Sequence, residues 1–414
     1  MLGEYETLSY VTRPYYSIFV ILPPYKSAMQ NTRQSESTAR GLFSTEHEMF
    51  RATLRRFIEE EVLPFHSAWE DEGQIPREIW RKAGAIGILL PMAPEEYGGG
   101  GGDFLYSAVV VEEIARALAT GIAGFTLHSD IVAPYLIEFG TEEQKRRWLP
   151  PMATGELVGS LGMTEPSAGS DLKAIRTTAR RTADGYILNG QKTFITNGWH
   201  TDRTLVVAKT RPEAGAKGMS LLWVDAKSPG FSKGHPLKKI GQRAQDTTEL
   251  FFDDVLVPFD CLIGEEDKGF GYLMHGLVQE RLMIALRCAT ALETALGWTV
   301  QYAKDRQTFG KPLMQHQHIR FKLAEIKTLA CATRAFVDTS LKQHLEGQLD
   351  ANGAAMAKLW AADATSAIDE LLQFFGGYGY MREYPIARAF TDVRVNRIYG
   401  GSSEIMKEII SRTL

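Results

Sequence analysis

Apolar residues recur at steps of three and four over most of this chain, and at steps of two across its middle. The first spacing lines one face of a helix and the second one face of a strand. The first helical stretch opens at Ser44-Thr45-Glu46-His47-Glu48, a capping signal. Its apolar stripe is Phe50, Leu54, Phe57 and Ile58, and Pro64 interrupts it. Residues 76–86 predict a second helix, entered through proline. Helical patterns return over 105–119 and 131–139, and Thr141 caps a helix with a charged face. Pro150-Pro151 is expected to end this helical region.

From 157 to 258 the period is two, with Gly, Pro and Asp turns between apolar runs. Strands are expected over 204–209, 219–224 and 249–252, and Asn189-Gly190 reads as a hairpin turn. After Gly269 the pattern is helical to the end: 269–306, 315–345, 352–375, a short helix after Tyr384, and 402–412. The fold class is α+β, with a central antiparallel β domain between two helical ones. The expected organisation is an extension over 1–41, a helical domain over 42–156, a β domain over 157–266 and a helical domain over 267–414. The extension has no clear periodicity and reads as disordered, with Met29 an alternative start.

The stretch after Lys268 organises the rest. Leu273, Leu277, Ile284, Cys288, Ala291, Ala295 and Trp298 form one stripe of a long helix, and Glu280 breaks it. A carboxylate on an apolar face is costly as an anion, so its pKa should rise, which suits a general base in a dry pocket. The other reading has Glu280 at the helix edge, or paired with Arg281 or a distant lysine.

Composition narrows the classes. At 414 residues the chain holds two or three domains or one composite. A net charge of -4 gives no electrostatic case for nucleic acid. No apolar run reaches the roughly 18 residues of a membrane helix. The three cysteines, Cys261, Cys288 and Cys331, are far apart and odd in number, which fits a reducing compartment. No metal-ligand spacing is present.

Five further stretches carry candidate chemistry, each with a plain structural alternative. Residues 162–171, GMTEPSAGSD, offer small residues and hydroxyls that let backbone N–H groups approach a phosphate or flat ring, or form a surface loop. Phe194-Ile195-Thr196-Asn197 lines a ring or ends a strand. Arg306 offers a fork for pyrophosphate or compensates a helix C-terminus. Gln373 to Tyr380 contains three glycines within four residues, a close-approach signal or a C-cap. Gly400-Gly401 precedes Ser402-Ser403-Glu404, a helix N-terminus with free donors or simply an N-cap. The glycine run 98–102 lacks phosphate-loop spacing and reads as a loop.

In this order, these motifs resemble those of the acyl-CoA dehydrogenases over residues 42–414. Residues 162–174 look like the family's first signature, and 373–392, with Glu383 and Arg388, like the second. Phe251-Phe252-Asp253-Asp254-Val255-Leu256-Val257-Pro258 matches the segment that closes the β domain. The resemblance implies a C-terminal four-helix bundle, FAD as cofactor and an acyl-CoA substrate. It implies that Leu161, Met163, Thr164 and Ser170 line FAD, with Ser170 also near substrate. Phe194, Ile195 and Thr196 would cover the flavin's other side, Phe194 standing where many members carry Trp. Arg306, Gln317, Gln373, Gly376 and Gly377 would bind the FAD of a neighbouring subunit, and Ser402, Ser403 and Glu404 would touch FAD. That implies a homo-oligomer, a tetramer built as a dimer of dimers. Leu277, Arg281, Gly400 and Gly401 would approach substrate.

One position departs from the pattern. Many members have their catalytic Glu where this chain has Gly400. Either the chain is an inactive relative that only binds acyl-CoA or FAD, or the base comes from elsewhere. The isovaleryl-CoA and long-chain members place Glu on the long helix, in a sequence like Gln279-Glu280-Arg281, and the resemblance therefore implies Glu280 as base. It further implies α,β-dehydrogenation in fatty acid β-oxidation, yielding a trans-2-enoyl-CoA from a medium, long or branched acyl-CoA. Electrons would pass to an electron-transferring flavoprotein, or to oxygen if the chain is an oxidase. A bacterial cytoplasm is the expected location, with a mitochondrial matrix as alternative.

Overall fold

The computed structural model describes residues 40–414. The expectation for 1–41 lies, but for Arg40 and Gly41, outside the described residues. Arg40 itself is anchored: its guanidinium donates to Glu112 at 2.7 Å and to Asp338 at 2.8 Å.

The N-terminal region is helical. Helix α1 (Thr45–Phe57) starts in a capping box, with Ser44 and His47 each accepting from the other's backbone N–H. A π-helical turn, Ile58–Val62, leads to the break at Pro64. Helices α2 (His66–Glu72), α3 (Arg77–Ala85), α4 (Phe104–Ala117), α5 (Gly124–Leu127), α6 (Ala133–Phe139) and α7 (Glu142–Ala153) follow. A second π-turn, His128–Val132, joins α5 to α6. Pro150 and Pro151 do not stop α7 at once. They sit in its last turn, and the helix ends at Ala153.

The middle region is one sheet of eight strands: β1 (Gly159–Gly162), β2 (Thr178–Arg181), β3 (Tyr186–Thr196), β4 (Arg203–Lys209), β5 (Met219–Asp225), β6 (Phe231–Lys233), β7 (Thr247–Val257) and β8 (Leu262–Ile263). The order is β6-β7-β3-β2-β4-β5-β8, with β1 also on β4. Pairing is antiparallel except at β4, against which β1 and the first residue of β2, Thr178, run parallel, while β5 pairs with β4 antiparallel.

Asn189-Gly190 is not a hairpin. It lies inside β3, where the register against β7 shifts between Leu188 and Gly190. The Asn189 side chain exchanges hydrogen bonds with Asp254 at 2.8 and 2.9 Å, tying the irregularity together. Gly190 is needed because a Cβ there would fall 2.5 Å from Thr177 Oγ1. The tight turn into β3 is Thr182–Gly185 instead, closed by the Thr182 N–H to Gly185 O at 2.8 Å.

The C-terminal region is built on α8 (Gly269–Asp305), 37 residues and about 56 Å long. Helix α9 (Gln317–Leu345) and helix α10 (Ala351–Ala364) pack on α8, and α13 (Ser403–Ser411) packs on α10. The predicted helix over 352–375 is two helices, α10 and α11 (Ala367–Gln373), because Thr365 and Ser366 turn their hydroxyls back onto Ala362 O and Asp363 O. Helix α12 (Pro385–Val393) begins at its proline.

The stripe predicted on α8 is buried, but it is not the only buried face. Leu282, Met283, Ile284, Ala285 and Leu286 are buried in succession, because α4 covers the side that the bundle leaves open. Each of the larger side chains, Leu282, Met283, Ile284 and Leu286, contributes about 1.5–3 kcal/mol. Beside this core, Arg40, Arg51 and Arg334 converge on the buried Glu112. Burial alone pushes that carboxyl up, yet Arg334, Arg40 and Arg51 outweigh it and hold it at about 2. This cluster joins α4 to α9 beside the centre of α8.

Candidate active site

Glu280 sits where α8 enters its fully buried stretch. It is 9 % exposed, and its Oε1 has no hydrogen-bond partner. Burial raises its carboxyl to about 7, opposed by Arg281. It lines a cavity of 270 Å³ with Asp130, Tyr135, Gln279 and His344. Among the described residues Glu280 forms no ion pair within 4 Å, and its side chain is buried rather than at a wet helix edge. Gln279 Nε2 donates to Asp130 O at 2.7 Å and clamps the second π-turn to α8. Asp130 is itself raised to about 7 by burial, against a hydrogen bond from Ser107.

The Gly400-Gly401 segment approaches α8 one turn beyond Glu280. Gly400 has φ +62, and a Cβ there would fall 2.4 Å from Ile284 Cδ1. Gly401 O accepts from the fully buried Lys358 Nζ at 2.6 Å. Burial brings that ammonium down to about 8, against the favourable pull of Cys288. Tyr399 accepts from Arg287 at 2.5 Å and donates to Asn396 at 2.7 Å. Arg281 is buried with an unpartnered Nε, and burial lowers it against the pull of Glu280. Leu277, one turn before Glu280, is also buried. Leu277 and Arg281 thus flank Glu280 along α8 and Gly400 meets that helix one turn beyond it, but none of Leu277, Arg281, Gly400 and Gly401 lines the cavity that Glu280 lines. Ser170 does not join them and lies exposed on the loop after β1.

That loop is firmly held. Lys192, fully buried, reaches Glu165 at 2.8 Å and Met163 O at 3.1 Å. Glu165 also accepts from the backbone N–H groups of Arg176 and Thr177, at 2.6 and 3.0 Å. The Thr193 N–H donates to Thr164 O at 2.9 Å, linking the loop to β3 just before Phe194. Phe194 lies at a second register shift, with φ +58, and stands 68 % exposed while Ile195 is buried. An exposed aromatic wall beside the half-buried Leu161, Met163, Thr164 and Thr196 fits a flat, partly apolar ring such as a flavin.

The remaining candidates lie elsewhere. Arg306 follows the end of α8, about 39 Å along the helix from Glu280. Gln317, Gln373, Gly376 and Gly377 are exposed around that end, where Tyr302 stacks on Phe375 at 4.3 Å. Ser402 caps α13 by accepting from the Ile405 N–H, and Ser403 donates inward to Asp363 at 3.2 Å, leaving Glu404 exposed. Asp130, Tyr135 and Lys358 escaped the sequence reading. Each is a polar residue inside a buried helical segment, and the only signal is a lone polar residue among apolar neighbours. Among the described residues, no helix is long and apolar enough to cross a membrane.

Comparison with known proteins places the fold in a family. The acyl-CoA dehydrogenase N-terminal domain matches residues 44–156, the middle domain 160–255 and the C-terminal domain 267–414. The chain is 50% identical to the mitochondrial long-chain specific acyl-CoA dehydrogenase of Mus musculus, over 91% of this chain and 88% of that one. It is 35% identical to the mitochondrial isovaleryl-CoA dehydrogenase of Oryza sativa subsp. japonica, over 90% and 92%. The crystal structure of an acyl-CoA dehydrogenase from Geobacillus kaustophilus superposes with a TM-score of 0.88 at 47% identity, covering 90% of this chain and 99% of that one. Members of this family are flavoprotein oxidoreductases of fatty acid oxidation and are typically homotetramers. On its three matched domains and these identities, the chain belongs to the acyl-CoA dehydrogenase family.

Proposed function

We propose that this chain converts a long or branched acyl-CoA into its trans-2-enoyl-CoA, with Glu280 as the base that removes the α-proton. The observation that carries this is the unpartnered, buried carboxyl oxygen of Glu280, lining a cavity and lifted to about 7. A dry carboxylate of that basicity suits proton abstraction next to a thioester. Bound FAD would supply the hydride acceptor. Leu161, Met163, Thr164 and Ser170 would hold it on one side, and Phe194, Ile195 and Thr196 on the other. Charge that develops on the thioester oxygen needs a donor fixed in advance, and the backbone N–H at Gly400 is the chain's own. A glycine there still has that N–H, so loss of the side chain leaves the donor in place.

The cavity supports the substrate class. It runs from Glu280 between the second π-turn, α6 and α8 to the exposed residues Glu138, His275 and Gly347, and so leaves room for an acyl tail beyond the reacting carbons. The separation of Arg306 from Glu280 supports a homo-oligomer in which Arg306, Gln317, Gln373, Gly376 and Gly377 serve a neighbour's FAD, with Ser402, Ser403 and Glu404 also touching FAD. Electrons would leave to an electron-transferring flavoprotein. The test is anaerobic mixing of the yellow protein with thioesters of graded length and branching. Bleaching that is fastest with long or branched chains supports the reading. A flavin that stays yellow with every thioester makes the chain a binding relative, and rapid reoxidation by air with peroxide release makes it an oxidase.

A further inference from the structure

Two buried oxygen atoms at this site lack partners, and they are complementary. Glu280 Oε1 is an acceptor, and the Tyr135 hydroxyl is a donor. Tyr135 is only 2 % exposed, and both residues line the same cavity. Gly276 explains how the phenol comes so close to α8. A Cβ at position 276 would fall 2.6 Å from the Tyr135 hydroxyl oxygen. Gly276 and Glu280 are one turn apart on a shared helix face. The hydroxyl therefore rests against α8 one turn from the carboxyl, and each leaves its desolvation uncompensated.

We infer that Tyr135 is a positioning residue for Glu280, its hydroxyl donating to the carboxylate when that group is ionised and fixing its orientation toward the substrate. The end torsion of a glutamate is soft, so the carboxylate can turn to meet the phenol. Burial, and then Glu280 itself, push the Tyr135 phenol well above its usual value, so it stays a donor throughout. The other charged or titratable groups facing Glu280 are Arg281 from α8, Asp130 and Glu138 from the opposite wall, His275, which is paired to Glu138 at 3.1 Å, and His344 from α9.

The kinetic arm of the test rests on Glu280 being the base, and the spectroscopic arm does not. In the holoenzyme, the infrared carboxyl band that Glu280→Gln removes is titrated in wild type and in Tyr135→Phe. Loss of a donor to the anion is expected to raise its midpoint by about one pH unit. The ascending limb of the kcat profile should move by the same amount. Gly276→Ala, which crowds the hydroxyl away, should move both in the same direction. A midpoint unchanged in both variants overturns the inference. A midpoint that moves while the kcat limb does not leaves it standing and removes Glu280 from the role of base.

Discussion

Gly400 meets Ile284 edge to edge: a Cβ on the glycine would lie 2.4 Å from the isoleucine Cδ1. Ile284 is one turn beyond Glu280, so the Gly400 segment abuts the helix that carries the proposed base. Gly400 is also left-handed, with φ +62, where a glutamate is strained. A side chain at 400 is therefore opposed both by Ile284 and by the backbone conformation. Gly400→Ala is expected to destabilise the fold by about 1–3 kcal/mol in denaturant titrations. Ile284→Val removes the clashing methyl. In a double-mutant cycle it should recover part of that loss, and strict additivity of the two changes would mean the contact is unimportant.

The loop after β1 depends on one buried pair. Lys192→Met leaves Glu165 buried without its cation and should lower stability by about 3–5 kcal/mol. It should also lower the flavin content of the purified protein, because Met163 O loses its partner. Wild-type flavin content in Lys192→Met would show that this pair does not hold the cofactor loop.

Glu280 makes stability depend on pH with a definite sign. Its folded carboxyl is raised from 4.5 to about 7, so the protonated form suits the fold. Its contribution is intact below 4.5 and is lost as pH rises through 7, amounting to about 3 kcal/mol. Glu280→Gln cannot ionise. It should therefore be more stable than wild type at pH 8 and nearly equal at pH 4.5, as measured by denaturant midpoints. Parallel curves for the two proteins across that range would show that Glu280 is not held in a dry site.

Local signals were legible in the sequence, and tertiary ones were not. Ser44 and Thr141 announce their helices because a cap is made within three residues. The motif around Met163 and the glycine at 400 point to a family and to its missing base. Asn189-Gly190 misleads, because the glycine answers to Thr177 on a neighbouring segment rather than to a turn. Glu280 reads as an exception on one stripe only while α4 is out of view. With α4 in place, α8 is buried all round over 280–286, and the oddity is the unpaired carboxyl rather than the face. Tyr135, Asp130 and Lys358 stay hidden for the same reason, as nothing local marks a polar side chain that is buried by segments far along the chain.

The central claim is that Glu280 takes the α-proton. Stopped-flow mixing of Glu280→Gln with a long-chain acyl-CoA under anaerobic conditions tests it directly, with bound flavin confirmed beforehand. The account expects the substrate to bind and flavin reduction to slow by at least about 10²–10⁴-fold. Reduction at the wild-type rate would contradict it.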